Sequence, residues 1–137
     1  MLMQDKIVIV SGIGPGLGVE LALLAAREGA KAVVLAARTA SKLTDAAAQI
    51  AALGLGTQTL EVPTDIAKQD DCKNLIDKTV AAFGRVDALA NSAYIPGRFG
   101  SWEKWDFEDW RKTLDVNLFG SLNLSREAAR VMKDQPA

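Results

Sequence analysis

Apolar residues fall along this chain in two alternating rhythms. Lys6 to Ser11 is a short, continuous, β-branched run, the pattern of a strand covered on both faces. After a glycine cluster the period changes. Leu17, Leu21, Leu24 and Ala25 are spaced by three and four, as on one helix face, and the pattern stops at Gly29 in C-cap position. The unit then repeats: Lys31 to Ala36 predicts a second buried strand, and Leu43, Ala46, Ala47, Ile50 and Leu53 stripe a second helix ending at Gly54. Thr57 to Val62 predicts a third strand. Cys72, Leu75, Ile76, Thr79, Val80 and Phe83 stripe a third helix closed by Gly84, and Val86 to Asn91 predicts a fourth strand. A loop with Pro96, Gly97 and Gly100 follows. Asp106, a good N-cap, opens a long helical stretch through Phe107, Trp110, Leu114, Leu118 and Leu122 to about Met132.

Strand and helix signals alternating at this spacing imply βαβ units. The predicted fold is α/β, a Rossmann-like, doubly wound parallel sheet of four strands and four helices. It is an incomplete one, because a last strand of buried type leaves an edge unpaired. The pattern therefore predicts a covering element or partner chain at that edge, or a longer protein of which residues 1–137 are the N-terminal portion. No low-complexity segment or linker marks a second domain.

With 49% apolar and 24% charged residues, the chain has the composition of an ordinary globular domain. It contains no histidine and one cysteine, Cys72, which excludes a Ser-His-Asp triad, a Cys-His pair and an intrachain disulfide from these residues. Sixteen basic against seventeen acidic residues argue against nucleic acid and against a polybasic membrane patch. The longest apolar runs, such as Ile7 to Val10 and Ala32 to Ala37, are far shorter than the roughly 18 residues of a membrane span. Met1 to Lys6 leaves no room for a secretory leader, so a cytoplasmic protein with small-molecule partners is expected.

The candidate chemistry begins at Ser11-Gly12-Ile13-Gly14-Pro15-Gly16-Leu17-Gly18, between the first strand and the first helix. Glycines there allow positive-φ turns and let backbone N–H groups and a helix N-terminus approach a pyrophosphate. The spacing is not GxGxxG, since the third glycine would fall on Leu17. It is GxxxGxG through Gly12, Gly16 and Gly18. At the end of the second strand, where an NAD site presents an acid to the ribose hydroxyls, stand Ala37 and Arg38. A planar cation there suits a 2′-phosphate, so NADP is expected in preference to NAD.

This glycine spacing, with Asp65-Ile66 after the third strand and Asn91-Ser92-Ala93 after the fourth, resembles the short-chain dehydrogenase/reductase family, in order from about Lys6 to Met132. The family's turn reads TGxxxGxG, so Ser11 stands where threonine is usual and Leu17 lies inside the cofactor segment. The resemblance implies that Asp65 serves the adenine side. It also implies that Asn91, Ser92 and Ala93 follow the family's Asn-Asn-Ala-Gly segment, with Tyr94 in the glycine position. Helical spacing from Trp110 and Leu114 places Asn117 on an inward-packing face. The resemblance gives it the role of the catalytic asparagine that holds a water in a proton relay.

The implied activity is hydride transfer between NAD(P)(H) and an alcohol or carbonyl substrate. The family's serine and Tyr-x-x-x-Lys pair are not among these residues. Tyr94 and Arg98 have a similar spacing, but Pro96 and Gly97 between them break a helix. These 137 residues alone are therefore expected to be inactive. A noncatalytic dinucleotide-binding or regulatory module is the competing reading. A methyl transferase on a related sheet is disfavoured by Ala37-Arg38. Trp102, Trp105 and Trp110 suit either a substrate wall or the packing of the helix start. Family members commonly pair through the long helix, which implies a homo-oligomer for a full-length form.

Overall fold

The computed structural model describes residues 1–136. Four parallel strands, β1 (Ile7–Ser11), β2 (Ala32–Ala37), β3 (Gln58–Pro63) and β4 (Ala88–Asn91), form one sheet in the order β3-β2-β1-β4. Three crossover helices connect them: α1 (Leu17–Arg27), α2 (Ala40–Ala52) and α3 (Gln69–Phe83). After β4 come α4 (Phe107–Leu114), a π-helical turn (Asp115–Gly120) and α5 (Ser121–Met132), which together make one interrupted helix. The expected α/β doubly wound sheet is present, with strand limits within two residues of those read from the pattern.

Alternation along each strand divides the core in two. Val8, Val10, Val33 and Leu35 face α1 and α2, meeting Ala22, Leu23, Ala26, Leu43, Ala46 and Ile50. Ile9, Val34, Ala36 and Val62 face the other side, against Cys72, Leu75 and Ile76 of α3 and Leu124 and Ala128 of α5. β1 is buried from end to end, and β2 in all but its last residue, Ala37, because both of their faces are covered, which is why they read as unbroken apolar runs. Among the described residues β4 pairs with β1 alone, and all four of its residues remain half-buried.

The long helix departs from expectation. Asp106 caps it as predicted, accepting from the Asp109 N–H while Asp109 accepts from the Asp106 N–H, a reciprocal capping box. Its predicted inward stripe faces away from the sheet, with Phe107, Trp110, Leu114, Leu118 and Leu122 all exposed. The residues that touch the sheet side are Val116, Gly120, Leu124 and Ala128, two positions out of phase. Two residues turn an α-helix by about 200°, so the helix carries apolar residues on opposite faces, and the bulkier set is the uncovered one. At Gly120 the inner face is stripped to backbone because the approach there is close. A Cβ on Gly120 would lie 2.7 Å from Ile66 Cγ1.

Candidate functional site

The strand order reverses between β1 and β4, since β2 and β3 lie on one side of β1 and β4 on the other. Ligands of open α/β sheets bind at such a switch point, outside the carboxyl ends of the strands. A groove of about 320 Å³ opens there. It is lined by Ser11, Gly12, Arg38, Asp65, Ile66, Ser92 and Ala93 from the sequence-predicted set.

The floor of the groove is held by cross-strand ties. Ser11 is fully buried, and its hydroxyl donates to Asn91 Oδ1. The Ser92 N–H and hydroxyl both donate to the Ser11 carbonyl, at 3.1 and 2.9 Å. The Gly12 and Ile13 N–H groups both donate to the Ala36 carbonyl, at 2.9 and 3.1 Å. The Ser11 hydroxyl and Asn91 amide oxygen are thus spent on joining β1 to β4, and they shape the groove rather than reach into it.

The three glycines of the motif do different work. A Cβ on Gly12 would lie 2.4 Å from the Ala93 nitrogen, and one on Gly18 would lie 2.1 Å from the Gly12 carbonyl oxygen. Both are glycine because backbone packs on backbone. Gly16, by contrast, has φ +113°, and a Cβ there would meet nothing within 4 Å. It gives the turn its left-handed step at the N-cap of α1 and leaves open space over the helix start, as an approaching pyrophosphate requires. Leu17 follows it, exposed at the first position of α1.

Past β3, Thr64 is buried, with its hydroxyl donating to the Val62 carbonyl. Asp65 follows, half-buried. One of its carboxylate oxygens accepts from the Ala67 N–H at 3.1 Å, and its own N–H donates to Asp71 Oδ2 at 2.8 Å. The other Asp65 carboxylate oxygen takes no hydrogen bond among the described residues, and Asp65 lines the groove. Behind this turn the buried Cys72 thiol donates to the Ile66 carbonyl. Burial, reinforced by the nearby Asp71 carboxylate, raises its pKa to about 11, so it is a packing group and not a thiolate.

Asn117 needs correction. Helical phase placed it facing inward, yet it is exposed on the π-helical turn and does not line the groove. Its side chain instead grips the loop after β4: Oδ1 accepts from the Ile95 N–H at 2.9 Å, and Nδ2 donates to the Ile95 carbonyl at 2.8 Å. Tyr94 sits between that grip and the docked Ser92-Ala93 segment. Its backbone takes no positive φ, so the usual glycine is not required for this path. The ring is 71% exposed at the groove's rim. Trp105 and Trp110 pack on each other with centroids 4.9 Å apart, while Trp102 stays exposed, so two of the three tryptophans secure the helix start.

Sequence reasoning missed Thr39, Lys42 and Thr64, which also line the groove. The signal for Lys42 was a second cation four residues after Arg38, in the first turn of α2.

A glycine turn and a helix start at the switch point of a parallel sheet define a Rossmann-like α/β fold. The model of the short chain dehydrogenase family matches residues 6–137, and the chain belongs to that family. It is 34% identical over 132 residues to 11-beta-hydroxysteroid dehydrogenase A of Sesamum indicum, covering 96% of this chain and 37% of that protein. It is 36% identical over 136 residues to an uncharacterized oxidoreductase of Staphylococcus aureus (strain MRSA252), covering 98% of this chain and 55% of that one. A short-chain type dehydrogenase/reductase from Mycobacterium ulcerans superposes with a TM-score of 0.88 at 32% identity, over 95% of this chain and 47% of that one. The chain thus spans about half the length, or less, of the relatives it matches. Among the described residues no helix is long and apolar enough to cross a membrane.

Proposed function

We propose that residues 1–137 form one dinucleotide-binding domain, the N-terminal portion of an NADP-preferring short-chain oxidoreductase. The substrate class is a small alcohol or carbonyl compound, handled in the cytoplasm, and copies of the full-length form pair through the exposed face of the long helix. The observation that carries the cofactor reading is the end of β2. Arg38 lines the groove there, Ala37 offers no carboxylate to the ribose, and Arg38 enters no ion pair among the described residues.

When bound, the dinucleotide supplies the hydride acceptor or donor. The chain's own residues bind and orient it. The Gly12–Gly18 turn and the start of α1 would receive the pyrophosphate, Asp65 would take the adenine amine, and Arg38 would hold the 2′-phosphate with its planar fork. Ser92 and Ala93 form the wall toward the ribose and nicotinamide. Asn117 positions that wall by holding Ile95, and this grip is the contribution the geometry supports for it. The one tyrosine, Tyr94, has no lysine on a shared helix face to lower its pKa. These residues alone are accordingly expected to bind the cofactor without turning substrate over.

Arg38→Asp tests the reading. A carboxylate repels the 2′-phosphate and accepts the ribose hydroxyls. The ratio of NADPH to NADH affinity should fall by about 10–100-fold, the worth of one charge-assisted hydrogen bond. An unchanged ratio would remove Arg38 from phosphate recognition.

A further inference from the structure

Arg38 is not the only cation at the mouth of the groove. Lys42 projects from the first turn of α2 across to the glycine turn. A Cβ begun at Gly14 would meet its Cδ at 3.8 Å and its Nζ at 3.9 Å. Its ammonium, though exposed, therefore lies beside the glycine turn on the opposite side of the opening. Like Arg38, Lys42 takes part in no ion pair among the described residues. The lining holds one carboxylate, Asp65, against these two cations.

An excess of unpaired positive charge across a narrow opening calls for an anion of more than one charge. A phosphate monoester carries about −1.5 to −2 at neutral pH. One guanidinium leaves close to a full charge uncompensated, and Asp65 adds to the deficit. We propose that Lys42 is a specificity-determining residue, a second cation that closes over the 2′-phosphate of NADP from the α2 side and shares its charge with Arg38. This rests on the reading of the groove as an NADP site and adds to it a residue outside the glycine motif and the end of β2. The division of labour follows from chemistry: Arg38 supplies a planar, two-pronged contact, and Lys42 a mobile point charge. Lys42 also lies next to Gly14, so the pyrophosphate is the competing destination for its charge. The two destinations give different cofactor dependence, because only NADP carries the 2′-phosphate while both cofactors carry the pyrophosphate.

The test is an equilibrium titration of the chain with NADPH and NADH, in wild type, Lys42→Met, Lys42→Arg and Arg38→Asp. Lys42 is exposed, so its replacement should leave the fold intact, and far-UV circular dichroism checks this. Lys42→Met should weaken NADPH about tenfold and NADH by less than about twofold, and should flatten the salt dependence of NADPH binding. Lys42→Arg should retain most of the NADPH affinity. Equal losses for both cofactors would place Lys42 on the pyrophosphate and overturn the inference, and so would an unaltered NADPH affinity. In either case, wild-type preference for NADPH and its loss in Arg38→Asp would leave the underlying cofactor reading standing. A wild type that binds both cofactors alike, or neither, would sink that reading and this inference with it.

Discussion

The sheet with its first three helices and the interrupted helix after it treat their apolar residues in opposite ways. In β1 and β2 nearly every side chain is enclosed, with Leu35 at 0% exposure. Along α4, the π-helical turn and α5, a ladder of large side chains from Phe107 to Leu122 stands in the open, with Leu118 at 46%. Both regions carry large apolar side chains in a regular pattern. The difference lies in what each face meets, and it shows that periodicity reports which residues share a face without reporting which face is covered. The groove is built mainly from the enclosed region and the loops at its carboxyl ends, with Val116 of the π-helical turn its one lining residue from the long helix.

The sharpest way to break this comparison is one chemical change made in both regions. Leu35→Ala removes a fully buried side chain and should cost about 2–5 kcal/mol. Leu118→Ala, the same truncation on the exposed ladder, should cost less than about 1 kcal/mol in the isolated chain. Urea unfolding midpoints compare the two directly. Equal losses would mean that the ladder is buried in solution, against another copy or another element.

A second contrast comes from pH. The folded Cys72 thiol titrates near 11, against 9.0 for an ordinary thiol. Below pH 9 the folded and unfolded states are both protonated at this site, so stability does not depend on it. From pH 9 to 11 the unfolded chain releases the proton first, and stability falls with rising pH by on the order of 2 kcal/mol in total. Cys72→Ala should flatten that part of the pH profile. The native thiol should also resist alkylation at pH 8 and react once the chain is unfolded.

Asn117→Ala sets a smaller effect at the boundary between the regions. Loss of the two bonds to Ile95 should cost about 1 kcal/mol and should speed amide exchange at Ile95, with β1 and β2 unaffected. Unchanged exchange at Ile95 would show that the loop does not depend on this grip.

Much of the fold was legible because β1, β2 and the first helices follow simple rules. A strand covered on both faces reads as an apolar run, and a helix on a sheet reads as a stripe ended by glycine. The groove was legible where a backbone constraint leaves a residue signature, as at Gly12 and Gly18, or where a chemical type is conspicuous, as at Arg38 and Asp65. Two things were hidden. The inner face of the long helix runs through Val116, Gly120, Leu124 and Ala128, and Gly120 and Ala128 give a weaker signal than Trp110 or Leu114. The other is Asn117, which shares the face of Leu114 and stands exposed because that face, expected to pack inward, is the uncovered one. Lys42 and Thr64 were hidden for another reason. The spacing of Lys42 from Arg38 was a signal, but that α2 and the end of β3 converge on the glycine turn follows only from the sheet order.

The direct test of the dinucleotide assignment is an equilibrium titration of this chain with NADPH, NADH and S-adenosylmethionine under identical salt and pH. Saturable binding of NADPH, weaker binding of NADH and none of S-adenosylmethionine is the expected result. Preference for S-adenosylmethionine, or no saturable binding of either dinucleotide by the folded chain, would contradict the assignment of the groove.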